Sequence, residues 1–202
     1  MTAQRKRGFY EKYIKRLLDI VICSAIFIVI SPILLLIAIL IKLTSDGPVF
    51  FLQERLGLDQ KAFKIIKFRT MIVNAERIGD GLKVREESDP RITPIGRILR
   101  KTSLDELPQL INIIKGDMSI IGPRPPVTYH PYKKGEYDDR KKHRFDVRPG
   151  LTGLAQSKIR NSGTWDERIE YDLIYVENVS FRQDIKVVFD TVKMLFNKEA
   201  LY

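Results

Sequence analysis

With 202 residues and 44% apolar content, the chain has room for one modest domain with an appendage, which excludes two independent enzymatic domains. A formal charge of +10 calls for an anionic partner, whether nucleic acid, anionic lipid or phosphorylated substrate, and does not choose among them. The lone cysteine, Cys23, rules out an intramolecular disulfide framework and a cysteine-rich metal site; within its apolar run it reads as a small hydrophobe.

From Ile20 to Ile41 no residue is charged, and the run is long enough for ~33 Å of helix, sufficient to enter a bilayer. A basic leader precedes it (Arg5, Lys6, Arg7, Lys12, Lys15, Arg16), but no small-residue cleavage pattern follows, so the segment is expected to remain in the protein. Basic residues lie on both sides, with Lys42 and Arg55 downstream, so a straight crossing would leave one basic group on the wrong side. Pro32 lacks an N–H and its ring opposes the carbonyl of Ile28, while Ser31 is pushed from the helical region. The expectation is a helix-break-helix at Ser31-Pro32, each half roughly 15 to 18 Å, that dips into one leaflet and returns. Ser31 would bond a freed carbonyl, since unpaired backbone in lipid is costly. The alternatives are a spanning anchor with a proline kink and, third, a buried soluble helix.

Gly47-Pro48 marks a turn, and the stretches 49–57 and 62–69 read as a β-hairpin. Residues 74–90 are polar and suit a loop carrying a helical turn, a candidate lid. Thr93-Pro94 predicts a capped helix start, with Arg97, Arg100 and Lys101 on one face.

In the next helix Leu107, Leu110, Ile111 and Ile114 form the apolar stripe and Gly116 the stop. Asp105 and Glu106 then fall in its first turn, where Ser103-x-x-Glu106 reads as a capping box and the dipole would keep Asp105 ionised. Pro108 conflicts with Ser103 as the cap, which moves the start toward Asp105 or Glu106. An ionised carboxylate beside a basic face also suits attack on phosphorus.

Gly122-Pro123-Arg124-Pro125-Pro126 is a rigid turn that aims one arginine fork, useful for a phosphate or a pyrimidine edge. Arg148-Pro149-Gly150-Leu151-Thr152-Gly153 adds another arginine-proline unit with glycines that permit tight turns and close ligand approach. Ile185, Val188, Phe189, Val192 and Leu195 make a helical stripe for core packing or membrane-surface contact. His130 and His143 stand apart, so zinc is not expected, and no Walker loop, dinucleotide fingerprint, nucleophile elbow or HExxH occurs.

Taken in order, Ser103-Leu104-Asp105-Glu106-Leu107-Pro108-Gln109-Leu110, Lys115-Gly116-Asp117-Met118-Ser119, Gly122-Pro123-Arg124-Pro125 and the Arg148–Gly153 unit closely resemble the bacterial sugar transferase family. Within it, the small monotopic phosphoglycosyl transferases (PglC-like) match in length, and Ser31-Pro32 resembles their re-entrant helix. The resemblance implies an α+β fold with a short β-hairpin and amphipathic interfacial helices. Residues 1–45 would form the basic leader and re-entrant membrane helix, and 46–202 a mostly helical cytoplasmic catalytic domain at the bacterial inner membrane. It implies that Asp105 attacks the β-phosphate of a UDP-sugar, UMP leaves, and undecaprenyl phosphate collects the phosphosugar. Mg²⁺ is the implied cofactor, with Asp105 near it and Glu106 assisting. Arg100 and Arg124 match cations that hold phosphate or nucleotide; Lys67, Arg148, Gln156 and Asp172 match motif positions on the substrate side. Partners would be the UDP-sugar, undecaprenyl phosphate and membrane lipid, with a homodimer left open and no nucleic acid. Family members commonly continue as Gln-Val-Asn-Gly-Arg where this chain has Gln156-Ser157-Lys158-Ile159-Arg160, which bears on sugar recognition and not on the acidic pair. The rival readings are a noncatalytic membrane-tethered module whose basic surface binds lipid or a partner, and a nucleic-acid binder supported by charge alone.

Overall fold

The computed structural model describes residues 5–75, 78, 89–159 and 163–196. The expected lid therefore lies mostly outside the described residues, as does Arg160. A π-helical turn at Tyr10–Ile14 leads into α1 (Lys15–Thr44), followed by β1 (Phe50–Leu56), β2 (Ala62–Phe68), α2 (Pro94–Lys101), α3 (Gln109–Lys115), β3 (Ser119–Ile121), α4 (Asp139–Lys142), β4 (Gly150–Thr152), α5 (Leu154–Ile159), α6 (Trp165–Glu177) and α7 (Phe181–Phe196). The strands form two two-stranded sheets, β1 with β2 and β3 with β4.

The hairpin closes as its composition suggests. Asp59 and Gln60 take positive φ in its connection, and Gly57 N donates to Lys61 O at 2.9 Å. Sheet β3–β4 is parallel, with Ser119 opposite Gly150 and Ile121 opposite Thr152.

Two compact units share the chain. The first comprises Met1–Cys23, Glu54–Lys64 and Asn112–Tyr202; the second comprises Ser24–Gln53 and Ile65–Ile111. In the first, Ile121, Val147, Leu154, Tyr175, Val176 and Val187 form one apolar cluster, and Leu56, Tyr137, Phe145, Ile169 and Leu173 another. In the second, Ile37 and Ile41 of α1 pack with Phe68 of β2 and Leu99 of α2.

The opening turns of α1 are polar and buried. Lys15 Nζ and Tyr10 OH both donate to Asp184 Oδ2 at 2.7 Å, and Tyr175 OH donates to Asp184 Oδ1 at 2.7 Å. Arg16 donates to the carbonyls of Ile113 (2.6 Å) and Ile114 (2.8 Å), covering the open end of α3. Asp19 Oδ1 accepts from Ile120 N at 3.0 Å. Further along, α1 changes character: Ile28, Val29 and Leu43 are 71%, 76% and 77% exposed. Exposed aliphatic surface of that extent suits lipid rather than water. Among the described residues one helix is long and apolar enough to cross a membrane, Tyr10–Thr44.

The expected interruption at Ser31-Pro32 is corrected here, because α1 runs unbroken from Lys15 to Thr44 with Pro32 inside it. The physical reason is local. Pro32 cannot donate to Ile28 O, and Ser31 Oγ takes that carbonyl instead at 2.8 Å, the role foreseen for this hydroxyl.

The α7 stripe turns outward. Ile185, Val188, Phe189 and Val192 are exposed, whereas Asp184 and Val187 point inward at 5% and 0% exposure.

Candidate active site

The acidic pair sits on a short scaffold within the second unit. Thr93 Oγ1 accepts from Gly96 N at 3.0 Å with Pro94 in the first position, so α2 starts as its sequence indicates. The helix lies directly on the backbone at Thr70: a Cβ on Gly96 would stand 2.0 Å from Thr70 O. That closeness requires glycine. Beyond α2, Ser103 adopts a left-handed conformation (φ 57°) and a 3₁₀ turn at Leu104–Glu106 presents Asp105 and Glu106.

The anticipated capping box does not form. Ser103 makes no capping bond, and Glu106 Oε1 instead accepts from Lys67 Nζ of β2 at 2.5 Å. Helix α3 begins at Gln109, past Pro108, later than either start considered from sequence. Asp105 thus lies outside the first turn of the helix. Burial pushes its carboxyl above the ordinary value; the Lys67 ammonium opposes the rise, the Glu106 charge adds to it, and Arg100 of α2 opposes it again. The expectation of a dipole-stabilised carboxylate gives way to a half-buried acid whose ionisation depends on neighbouring cations. Lys67, Arg100, Asp105 and Glu106 are therefore gathered in one place. No cluster of three or more His, Cys, Asp and Glu suited to a metal occurs among the described residues.

The remaining sequence-nominated residues belong to the first unit. Arg124 is exposed at the proline turn. Its carbonyl accepts from Arg144 Nη2 at 3.0 Å, and Arg144 Nη2 also donates to Asp172 Oδ2 of α6 at 2.6 Å. Asp172 is fully enclosed; burial raises its carboxyl to about 6, against the pull of Arg144 and then Arg168. Arg168, one turn earlier on α6, is lowered by burial and then by the Arg124 charge, so two guanidinium groups act on the acid and a third acts on Arg168. Arg148 Nε donates to Gly116 O at 3.0 Å, just past α3. It lines a small cavity with Glu11, Lys15, Arg16, Asp19 and Ser119. Gln156 of α5 is half-buried, and both polar atoms of its amide are buried without a hydrogen-bond partner.

Glycines join the two arginine-proline motifs. A Cβ on Gly150 would lie 2.1 Å from Gly122 N, and one on Gly153 2.1 Å from Gly122 O. Their absent side chains let backbone pack on backbone across β3 and β4. Sequence reasoning singled out neither Arg144 nor Arg168. Charge alone marks them as solvated, and the only hint available was the i, i+4 placement of Arg168 and Asp172 on one helix.

The profile of the bacterial sugar transferase family matches residues 10–198, and the chain belongs to that family. A UDP-glucose:undecaprenyl-phosphate glucose-1-phosphate transferase of Klebsiella pneumoniae is 44% identical over 194 residues, 92% of this chain and 41% of that protein. One of the same description from Caulobacter vibrioides is 40% identical over 193 residues, 93% and 72% of the two chains. An undecaprenyl-phosphate galactose phosphotransferase of Salmonella typhimurium is 38% identical over 206 residues, 95% and 42%. The chain spans about two fifths of the length of the first and third of these relatives.

Proposed function

We propose that this chain is a membrane-bound phosphoglycosyl transferase that moves a sugar 1-phosphate from a UDP-sugar to undecaprenyl phosphate. The observation that carries the reading is Asp105, a half-buried carboxylate acted on by Lys67 and Arg100 and adjacent to the paired Glu106. Relatives covering nearly all of this chain are described as undecaprenyl-phosphate sugar phosphotransferases, which supports the same chemistry here.

Asp105 Oδ attacks the β-phosphorus of the donor, forming an O–P bond as the bridging O–P bond to UMP breaks. A phosphate oxygen of undecaprenyl phosphate then attacks the same phosphorus, and the Asp105–P bond breaks to release a diphosphate-linked lipid sugar. Lys67 and Arg100 favour the ionised form of Asp105 against its burial and offset charge as two anions meet. Glu106, fixed by Lys67, orients that ammonium beside its neighbour. Within the first unit the exposed Arg124 suits an anionic group and the unpartnered amide of Gln156 a polar group of a ligand. Mg²⁺ is commonly held by one or two acids together with substrate phosphates; Asp105 would hold it, with Glu106 assisting, and it would supply charge neutralisation on the diphosphate.

The membrane reading follows from α1. Its two basic flanks favour the same face, Pro32 is the place for a bend, and Ser31 keeps the backbone satisfied there. We propose that the continuous α1 bends at Pro32 rather than breaking there, so that both of its ends and the catalytic residues lie on the cytoplasmic side. The exposed Ile185, Val188, Phe189 and Val192 face of α7 suits contact with lipid.

The test is mass spectrometry of the protein incubated with UDP-glucose or UDP-galactose and Mg²⁺ but no lipid acceptor. A phosphosugar adduct on Asp105, absent in Asp105→Asn, is expected together with UMP release. Turnover without an adduct, or an active Asp105→Asn protein, rules the mechanism out.

A further inference from the structure

Four consecutive carbonyls in the proline turn are each held by a different part of the chain. Gly150 N donates to Pro123 O at 2.9 Å, Arg144 Nη2 to Arg124 O at 3.0 Å, Arg55 Nη1 to Pro125 O at 3.0 Å, and Leu56 N to Pro126 O at 2.9 Å. Three of the four turn residues are proline and bring no N–H, so the turn is fixed largely through its carbonyls. Arg144 differs from the other donors. Its side chain is 0% exposed, and Nε and Nη1 are buried without a hydrogen-bond partner. A guanidinium so enclosed is tolerable only beside a countercharge, and the 2%-exposed side chain of Asp172 supplies it at 2.6 Å. The same Arg144 nitrogen serves Asp172 and the Arg124 carbonyl, so the acid, the buried cation and the backbone of the exposed arginine form one chain of contacts.

We propose that Asp172 and Arg144 are a buried positioning pair that sets where Arg124 points, and that Asp172 acts on an anionic substrate only through Arg124. The geometry favours this over direct contact, since Asp172 is enclosed and its partner is a side chain with no surface of its own. The kinetic part of the inference rests on the proposed UDP-sugar reaction, while its structural part does not.

Two measurements on the full chain in detergent decide it. The first is hydrogen exchange at the amides of Leu56 and Gly150, which donate into the turn. Asp172→Asn is expected to speed exchange at both roughly ten-fold, as the loss of one charge-assisted hydrogen bond would, while amides of α7 stay unchanged. Should that variant fail to fold, Arg144→Met combined with Asp172→Asn removes both charges and is expected to give the same loosening. The second is UMP release: Asp172→Asn is expected to raise KM for the UDP-sugar roughly ten-fold with little change in kcat, and to add nothing in an Arg124→Ala background. Unchanged exchange at Leu56 and Gly150, or effects of Asp172→Asn and Arg124→Ala that simply multiply, would overturn the pairing. If the wild-type chain releases UMP from no UDP-sugar, the functional reading fails, and the exchange measurement still decides the role of the pair.

Discussion

Lys67 Nζ donates to Glu106 Oε1 at 2.5 Å, tying the end of β2 to the turn that follows α2, while it acts on the neighbouring Asp105 through its charge. Two acids adjacent in sequence thereby acquire different roles. Glu106 is anchored, and Asp105 is left with a carboxyl raised by burial and restrained by cations.

That arrangement fixes the sign of two pH shifts. Asp105 must be ionised to attack, so activity falls as pH drops through its pKa. Lys67→Met removes an opposing cation, raises the Asp105 pKa further and moves the acid limb of kcat/KM to higher pH. Glu106→Gln removes a charge that raises it and moves the limb to lower pH. Profiles of UMP release against pH check this, and a shift of both variants in the same direction contradicts the assignment.

Asp184 accepts from Tyr10, Lys15 and Tyr175, all close to the start of α1. Asp184→Ala leaves Lys15 as a buried charge without its countercharge and is expected to cost about 3–5 kcal/mol. Thermal unfolding in detergent should show a large drop in midpoint. Exchange of Asp190 for Asn, at a Lys158–Asp190 pair whose side chains are 40% and 25% exposed, is expected to cost under about 1 kcal/mol.

Gly96→Ala forces a methyl to within 2.0 Å of Thr70 O, a backbone atom that cannot swing away. Overpacking of this kind costs about 1–3 kcal/mol. Because α2 also carries Arg100, the loss of stability should come with reduced UMP release, read by unfolding and activity on the same preparation.

Single cysteines at Lys6 and Thr44 report the path of α1. Cys23 is 0% exposed, so introduced thiols can be labelled selectively. An impermeant reagent on intact cells should reach neither position, and both should react once the membrane is opened. Labelling of one end from outside would establish a crossing helix instead.

Local signals were legible in the sequence. The hairpin, the Thr93-Pro94 helix start and the Ser31 bond to Ile28 each depend on neighbours a few residues away, and each is found. Signals that compete with distant residues were not. The Ser103–Glu106 capping pattern is sound chemistry, yet Lys67, 39 residues earlier, takes Glu106. Strands β3 and β4 have three residues apiece, too few for a period to register, and their pairing spans the whole stretch from 122 to 149. In α7 the periodicity was readable but the face was not: an apolar stripe says that one side differs from the other, and only the packing of Asp184 and Val187 shows that the stripe faces outward. Arg144 and Asp172, 28 residues apart, look like ordinary surface charges until folding encloses them.

The carbonyl anchors of the proline turn also set an order of assembly. Leu56 and Arg55 leave the ribosome before the turn, whereas Arg144 and Gly150 follow it, so a nascent chain that has already exposed Asp105 and Glu106 still lacks half of what holds Arg124 in place. The last anchors of the turn are therefore synthesised after the whole of the apolar helix.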